Sequence, residues 1–191
     1  MPAKISAAIR QRAARIKLFL CDVDGVLTDG SIFIGGERPP SLKSFGAAGE
    51  FKQFNIRDGL GLVLARRAGL KIGWASARPS AATKLRAREL KIDFLIQQKD
   101  RLSKTGAIEN LLAQEKLSWN DVCFVGDDIV DLGPLKRAGF SVAVADGVAE
   151  AKAAAHFVTR AKGGRGAVRE VVEMILQAQG KWEPFVTFYS T

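Results

Sequence analysis

Residues 21–30 read Cys-Asp-Val-Asp-Gly-Val-Leu-Thr-Asp-Gly. Asp22 and Asp24 close the apolar run Lys17-Leu-Phe-Leu-Cys21, and a glycine follows at once. A buried strand ending in Asp-x-Asp-Gly sets two acids at the mouth of a sheet, where like charges repel. Such a pair calls for a bound cation or a retained proton. Further groups fit for chemistry recur where strands are expected to end or helices to begin. They are Ser76 in Ala75-Ser-Ala-Arg78, then Lys104, then Gly126-Asp-Asp128 with Asp131 one turn on. In an open parallel sheet, ligands bind outside the carboxyl ends of the strands, at the point where strand order reverses. Convergence of these carboxylates there makes an oxygen cluster that suits Mg²⁺. The chain's only histidine is His156, so no zinc-type ligand set is present. A hydroxyl (Ser76) and an ammonium (Lys104) supply what phosphoryl oxygens need. Asp22 is then the group to attack phosphorus. Asp24 is the one to give a proton to the leaving oxygen and later take one from water.

The elements that must hold these groups alternate along the chain. Strands are expected at 17–22, 71–76, 93–96, 121–125, 141–144 and 157–159. Helices are expected at 4–15, 59–68, 79–90, 103–116, 131–138, 148–154 and 165–178. That alternation predicts an α/β, Rossmann-like three-layer sandwich with a mostly parallel sheet. Residues 30–55 break the pattern. Ser31 to Ile34 and Phe51 to Phe54 are expected to pair as a β-hairpin flap, joined by a polar connection rich in Gly and Pro. Asp29-Gly30 reads as the turn that launches it.

Bulk properties bound the rest. The chain has 191 residues, 47% hydrophobic and 26% charged, which fits one globular domain, 1–191. No apolar stretch approaches the roughly 18 residues of a membrane span, and the first residues lack the apolar core of a signal peptide. A cytoplasmic protein with Cys21 and Cys123 reduced in the core is expected. The net charge of +9 is scattered, with no aromatic residues between the basic ones, so no nucleic-acid surface and no membrane contact is expected.

The ordered set Asp22-x-Asp24, Ser76, Lys104 and Gly126-Asp-Asp-x-x-Asp131 resembles the haloacid dehalogenase superfamily over about 17–180. The resemblance makes Asp22 the nucleophile and Asp24 the acid/base. It makes Ser76 and Lys104 phosphate binders, and Asp22, the Asp24 carbonyl and Asp127 the Mg²⁺ ligands. Asp128 and Asp131 become supporting acids, although capping of the next helix is an equal reading of both. Asp24-Gly-Val-Leu-Thr-Asp-Gly30, Phe54-Asn-Ile-Arg-Asp-Gly59 and Gly163-Gly-Arg-Gly-Ala-Val-Arg-Glu170 further resemble the 3-deoxy-D-manno-octulosonate 8-phosphate phosphatase family. That resemblance implies a flap in place of a cap domain, a homotetramer with shared active sites, and a small anionic sugar-phosphate substrate. It also implies sugar-acid contacts from Asn55, Ile56, Arg57, Asp58, Gly59, Arg78 and Arg86. Gly163 to Gly166 is either a plain loop or an anion-accepting nest with Arg165 facing the sugar acid. Ser76 stands where the family usually has Thr, Val63 where it has a basic residue, and the flap tip is longer. A related nine-carbon sugar-acid 9-phosphate is the alternative substrate, and a non-catalytic phosphate-binding module the alternative of another class.

Overall fold

The computed structural model describes residues 5–34, 50–97 and 104–191. The long flap tip, expected from about Gly35 to Glu50, lies outside the described residues except at its last residue. The strands in chain order are β1 (Leu18–Cys21), β2 (Phe33–Ile34), β3 (Glu50–Phe51), β4 (Lys71–Ser76), β5 (Phe94–Gln97), β6 (Val122–Gly126), β7 (Phe140–Ala143) and β8 (Phe157–Val158). The helices are α1 (Ala7–Ala14), α2 (Ile56–Arg67), α3 (Ala81–Glu89), α4 (Thr105–Glu115), α5 (Leu132–Arg137), α6 (Ala149–Ala154), α7 (Ala167–Ala178) and α8 (Glu183–Phe188).

Six strands form one sheet in the order β5-β4-β1-β6-β7-β8, and every pairing in it is parallel. The chain builds outward from β1 through β4 to β5, then crosses back to β6 on the other side of β1. The order therefore reverses between β1 and β6, as expected of a doubly wound sheet. Both faces are covered, which is why β1 and β6 are apolar throughout. Phe19 and Cys21 point into one core with Trp74, Val125 and the α1, α2 and α7 residues Ala13, Leu62 and Ile175. Leu18 and Leu20 point into the opposite core with Phe124, Ile108 and Leu135. The three-layer sandwich is thus observed.

The flap is a two-stranded antiparallel pair with Phe33 opposite Phe51. It is shorter than expected, and α2 begins three residues early. Asn55 takes the N-cap and its Oδ1 accepts from the Arg57 amide at 2.8 Å. Helix α3 starts at Ala81, not at Pro79, because Ser80 caps it through the Thr83 amide. The last helix, α8, was not expected. It has no buried residue and carries Pro184 in its first turn, so it lacks the apolar periodicity that marks a helix in sequence. Both cysteines are buried and free. No helix among the described residues is long and apolar enough to cross a membrane.

Candidate active site

Strands β1 and β6 are neighbours in register, Cys21 beside Val125. The residues just beyond them, Asp22 and Asp127, therefore emerge side by side at the carboxyl edge. The Asp22 amide donates to the Val125 carbonyl at 2.9 Å, continuing the ladder one residue. Gly25 then turns the chain with φ +88°, a left-handed conformation that glycine adopts freely. A Cβ there would lie 2.1 Å from Asp127 Oδ2, so a side chain at 25 would occupy the space of the second acid.

Lys104 stands at the start of α4 and reaches the same place. Its Nζ lies 2.8 Å from Asp22 Oδ1 and 2.7 Å from Asp131 Oδ1, with all three residues buried. Asp131 Oδ2 also accepts from the Asp127 amide at 3.0 Å, which holds the turn after β6. Burial removes water from these acids faster than one ammonium can compensate. It pushes Asp22 up to about 7, with Lys104 opposing and Asp131 adding to the shift. Burial, with Asp22 and Asp131 nearby, pushes Asp127 up to about 8. Lys104 sits above its ordinary value: burial would lower it, but the two carboxylates outweigh that.

One oxygen in this cluster is left over. Asp127 Oδ1 is buried and makes no hydrogen bond, while Asp22, Asp127 and Asp131 each bring a ligand atom within 4.8 Å of the others. An unpartnered buried carboxylate oxygen beside a second acid is what a hard divalent cation fits. A magnesium-type ion therefore suits the donor set present.

The comparisons with known proteins bear on the same chain length. The family profile of haloacid dehalogenase-like hydrolases matches residues 96–171. The 3-deoxy-D-manno-octulosonate 8-phosphate phosphatase of Yersinia pestis is 41% identical over 174 residues, 91% of this chain and 86% of the relative. The chain belongs to that phosphatase family. A crystal structure of the Moraxella catarrhalis family member, in complex with magnesium ion, phosphate ion and a KDO molecule, superposes with a TM-score of 0.86. It is 36% identical and covers 95% of this chain and 97% of its own. The cobalt-bound family member from Haemophilus influenzae has a TM-score of 0.78 at 35% identity, covering 92% of this chain and 95% of that one.

Against the family pattern, the remaining expected residues divide. Ser76 is buried at the end of β4, where its hydroxyl donates to the Arg78 carbonyl at 3.0 Å and accepts from the Arg78 amide at 3.1 Å. Ile56 and Arg57 are exposed on the first turn of α2. Arg86 pairs with Glu89 at 2.8 Å and lies over the Phe54 ring at 6.0 Å. Gly59 leaves room for it, since a Cβ at 59 would lie 2.5 Å from Arg86 Nη2.

Three of the expected groups already have partners within the chain. Asp58 is buried, and its carboxylate accepts from the Gly166 amide at 3.1 Å and the Arg169 amide at 2.7 Å. It caps α7 from across the fold. Asp128 is exposed and its Oδ1 accepts from the Ile129 amide at 2.6 Å, which makes it a cap of the turn that follows. The Gly163–Gly166 loop is no open nest. Its amides already donate to Asp146 Oδ1, the Val26 carbonyl, the Lys162 carbonyl and Asp58. The loop instead braces the turn after β1, and a Cβ on Gly163 would lie 1.7 Å from the Gly25 carbonyl oxygen. Arg165 reaches Asp29 of the same chain at 3.3 Å.

Two residues that sequence reasoning passed over enter from the flap. Lys52 Nζ lies 2.5 Å from Asp24 Oδ1. Glu50 binds Arg78 through both oxygens, at 3.1 and 2.7 Å, and accepts from the Ser80 hydroxyl at 2.9 Å. Their signal was the spacing of two, which puts both on one face of an extended strand.

Proposed function

We propose that the chain is a Mg²⁺-dependent phosphoric monoester hydrolase acting on 3-deoxy-D-manno-octulosonate 8-phosphate, through an aspartyl-phosphate on Asp22. The observation that carries this is the buried Lys104 between Asp22 and Asp131, beside the unpartnered Asp127 oxygen. Family membership and the names of the relatives support the substrate.

Asp22, the Asp24 carbonyl and Asp127 would hold Mg²⁺, which when bound supplies positive charge to the phosphoryl oxygens. Asp22 forms its bond to phosphorus as the bond to the sugar oxygen breaks, and Asp24 gives that oxygen its proton. Water then attacks phosphorus, loses a proton to Asp24 and frees Asp22. Lys104 keeps Asp22 oriented and offsets charge on the phosphoryl group, with the Ser76 hydroxyl as a further donor. Arg78, Arg86, Arg57 and Arg165 are the cations for the sugar carboxylate, with Asn55, Ile56 and Gly59 forming the adjoining wall. The setting is a cytoplasmic homotetramer in which neighbours close each other's sites.

The test is a phosphate-release screen over sugar phosphates with Mg²⁺ present. The eight-carbon 8-phosphate is expected to lead, with the nine-carbon 9-phosphate at least about tenfold slower in kcat/KM, a discrimination of roughly 1.4 kcal/mol. Preference for the nine-carbon acid overturns the substrate. An Asp22→Asn variant that retains turnover while folded overturns the nucleophile.

A further inference from the structure

The end of the flap carries two opposite charges to two different functional groups: Glu50 stands in β3 and Lys52 is the first residue after it. Lys52 is the residue the mechanism leaves unused. Its side chain is 0% exposed, a rare state for lysine, and its Nζ meets Asp24 Oδ1 at 2.5 Å and Glu50 Oε1 at 3.7 Å. Glu50 is 5% exposed at its side chain and grips Arg78 with both oxygens. The four groups form a chain of alternating sign, Asp24-Lys52-Glu50-Arg78, running from the mouth of β1 to the loop after β4. A buried ammonium is retained only where its partners are placed well. An arrangement that merely latched the flap would gain as much from a partner away from the reacting groups.

We infer that Lys52 is a positioning residue for Asp24: its ammonium holds Oδ1 and so presents Oδ2 to the leaving oxygen and then to water. Lys52 makes no bond to substrate. Glu50, in turn, fixes the plane of the Arg78 guanidinium, leaving its other N–H groups for a substrate carboxylate. One short stretch of the flap, residues 50–52, therefore sets proton transfer through Lys52 and anion recognition through Glu50. This rests on the proposed mechanism and adds a residue to it.

The test exploits leaving-group chemistry. An alkyl phosphate needs a proton on its leaving oxygen, whereas p-nitrophenyl phosphate releases a stable phenolate without one. Both need a base to activate water in the second step. Lys52→Met is therefore expected to slow phosphorylation by the sugar phosphate about 100-fold or more. With p-nitrophenyl phosphate it should leave the rate of the nitrophenolate burst within about tenfold, and slow the steady turnover that follows. Lys52→Arg, which keeps the charge and a donor, should restore a measurable part of the loss. Glu50→Gln should raise KM for the sugar acid more than it lowers kcat.

Equal slowing of the aryl burst and the alkyl reaction in a folded Lys52→Met protein would reduce Lys52 to a flap latch and overturn the inference. Wild-type-like kcat would do the same. Should Lys52→Met fail to fold, Lys52→Arg still decides through the same burst ratio. A wild type that ignores the sugar phosphate but hydrolyses another alkyl phosphate would sink the substrate reading alone. The burst comparison then runs on that alkyl phosphate.

Discussion

At the scale of single residues, the site is an electrostatic problem with one cation too few. Asp22 and Asp127 are pushed from 3.8 to about 7 and about 8, chiefly by burial. A carboxyl whose pKa is higher folded than unfolded binds its proton more tightly in the native state. Its stabilising contribution is complete below the ordinary carboxylate range and is lost as pH rises through 7 to 8. The metal-free protein is therefore expected to lose thermal stability between about pH 5 and pH 8. A divalent cation competes with those protons, so Mg²⁺ should raise the melting temperature more at about pH 8 than at about pH 6. Melting curves with Mg²⁺ and with chelator at both pH values measure this. Asp127→Asn, which removes a charge and leaves the shape, should abolish most of the Mg²⁺-dependent shift. A shift of equal size at both pH values, or one that survives in the variant, would place cation binding elsewhere.

At the scale of elements, the positions of the strands were legible because each is a short apolar run, and the acids stand at their ends. Asp22, Lys104, Asp127 and Asp131 meet because the strand order does what alternation of strands and helices requires. The flap residues were not legible in that way. Lys52 and Asp24 are 28 residues apart, and nothing local tells a lysine that folds back into a site from one that faces water. The capping partners of Asp58 were hidden for a related reason. Local capping rules reach only a few residues along the chain, but Asp58 caps a helix 108 and 111 residues further on. Burial raises the Asp58 pKa, opposed by the amides of Arg169 and Gly166 that it accepts from. Asp58→Ala is expected to cost about 1–3 kcal/mol of stability, since it leaves two helix-start amides without a partner. Urea unfolding measures the loss. KM for the sugar phosphate in the same variant should change less than about threefold, or roughly 0.6 kcal/mol. A large rise in KM without loss of stability would restore Asp58 to the substrate site.

At the scale of the whole molecule, the flap and the start of α2 expose large apolar side chains. Ile32, Phe33 and Phe51 on the flap are 47%, 55% and 67% exposed, and Ile56 and Leu60, one helical turn apart on α2, are 81% and 43% exposed. Scattered exposed apolar residues are ordinary, but a run of large ones flanking a candidate site marks an interaction surface. The site itself needs walls. The fold has no cap domain among its described residues, and the sugar acid has a carboxylate and several hydroxyls to recognise beyond its phosphate. In the proposed tetramer a neighbouring copy would supply both a cover for the apolar residues and a wall for the substrate, and closed symmetry would give every site the same wall. A stable contact buries about 800 Å² on each partner, so an assembly built on the flap and α2 would enclose the mouth. Light scattering on the purified chain is expected to give four subunits. Phe51→Glu or Ile56→Asp should shift the mass toward dimers or monomers. If sites are shared, the same variants should raise KM for the sugar acid about tenfold or more. The aryl phosphate, which asks nothing of a sugar wall, should keep most of its activity in any species that remains folded. A monomer with undiminished kcat/KM on the sugar phosphate would show that a single chain closes its own site.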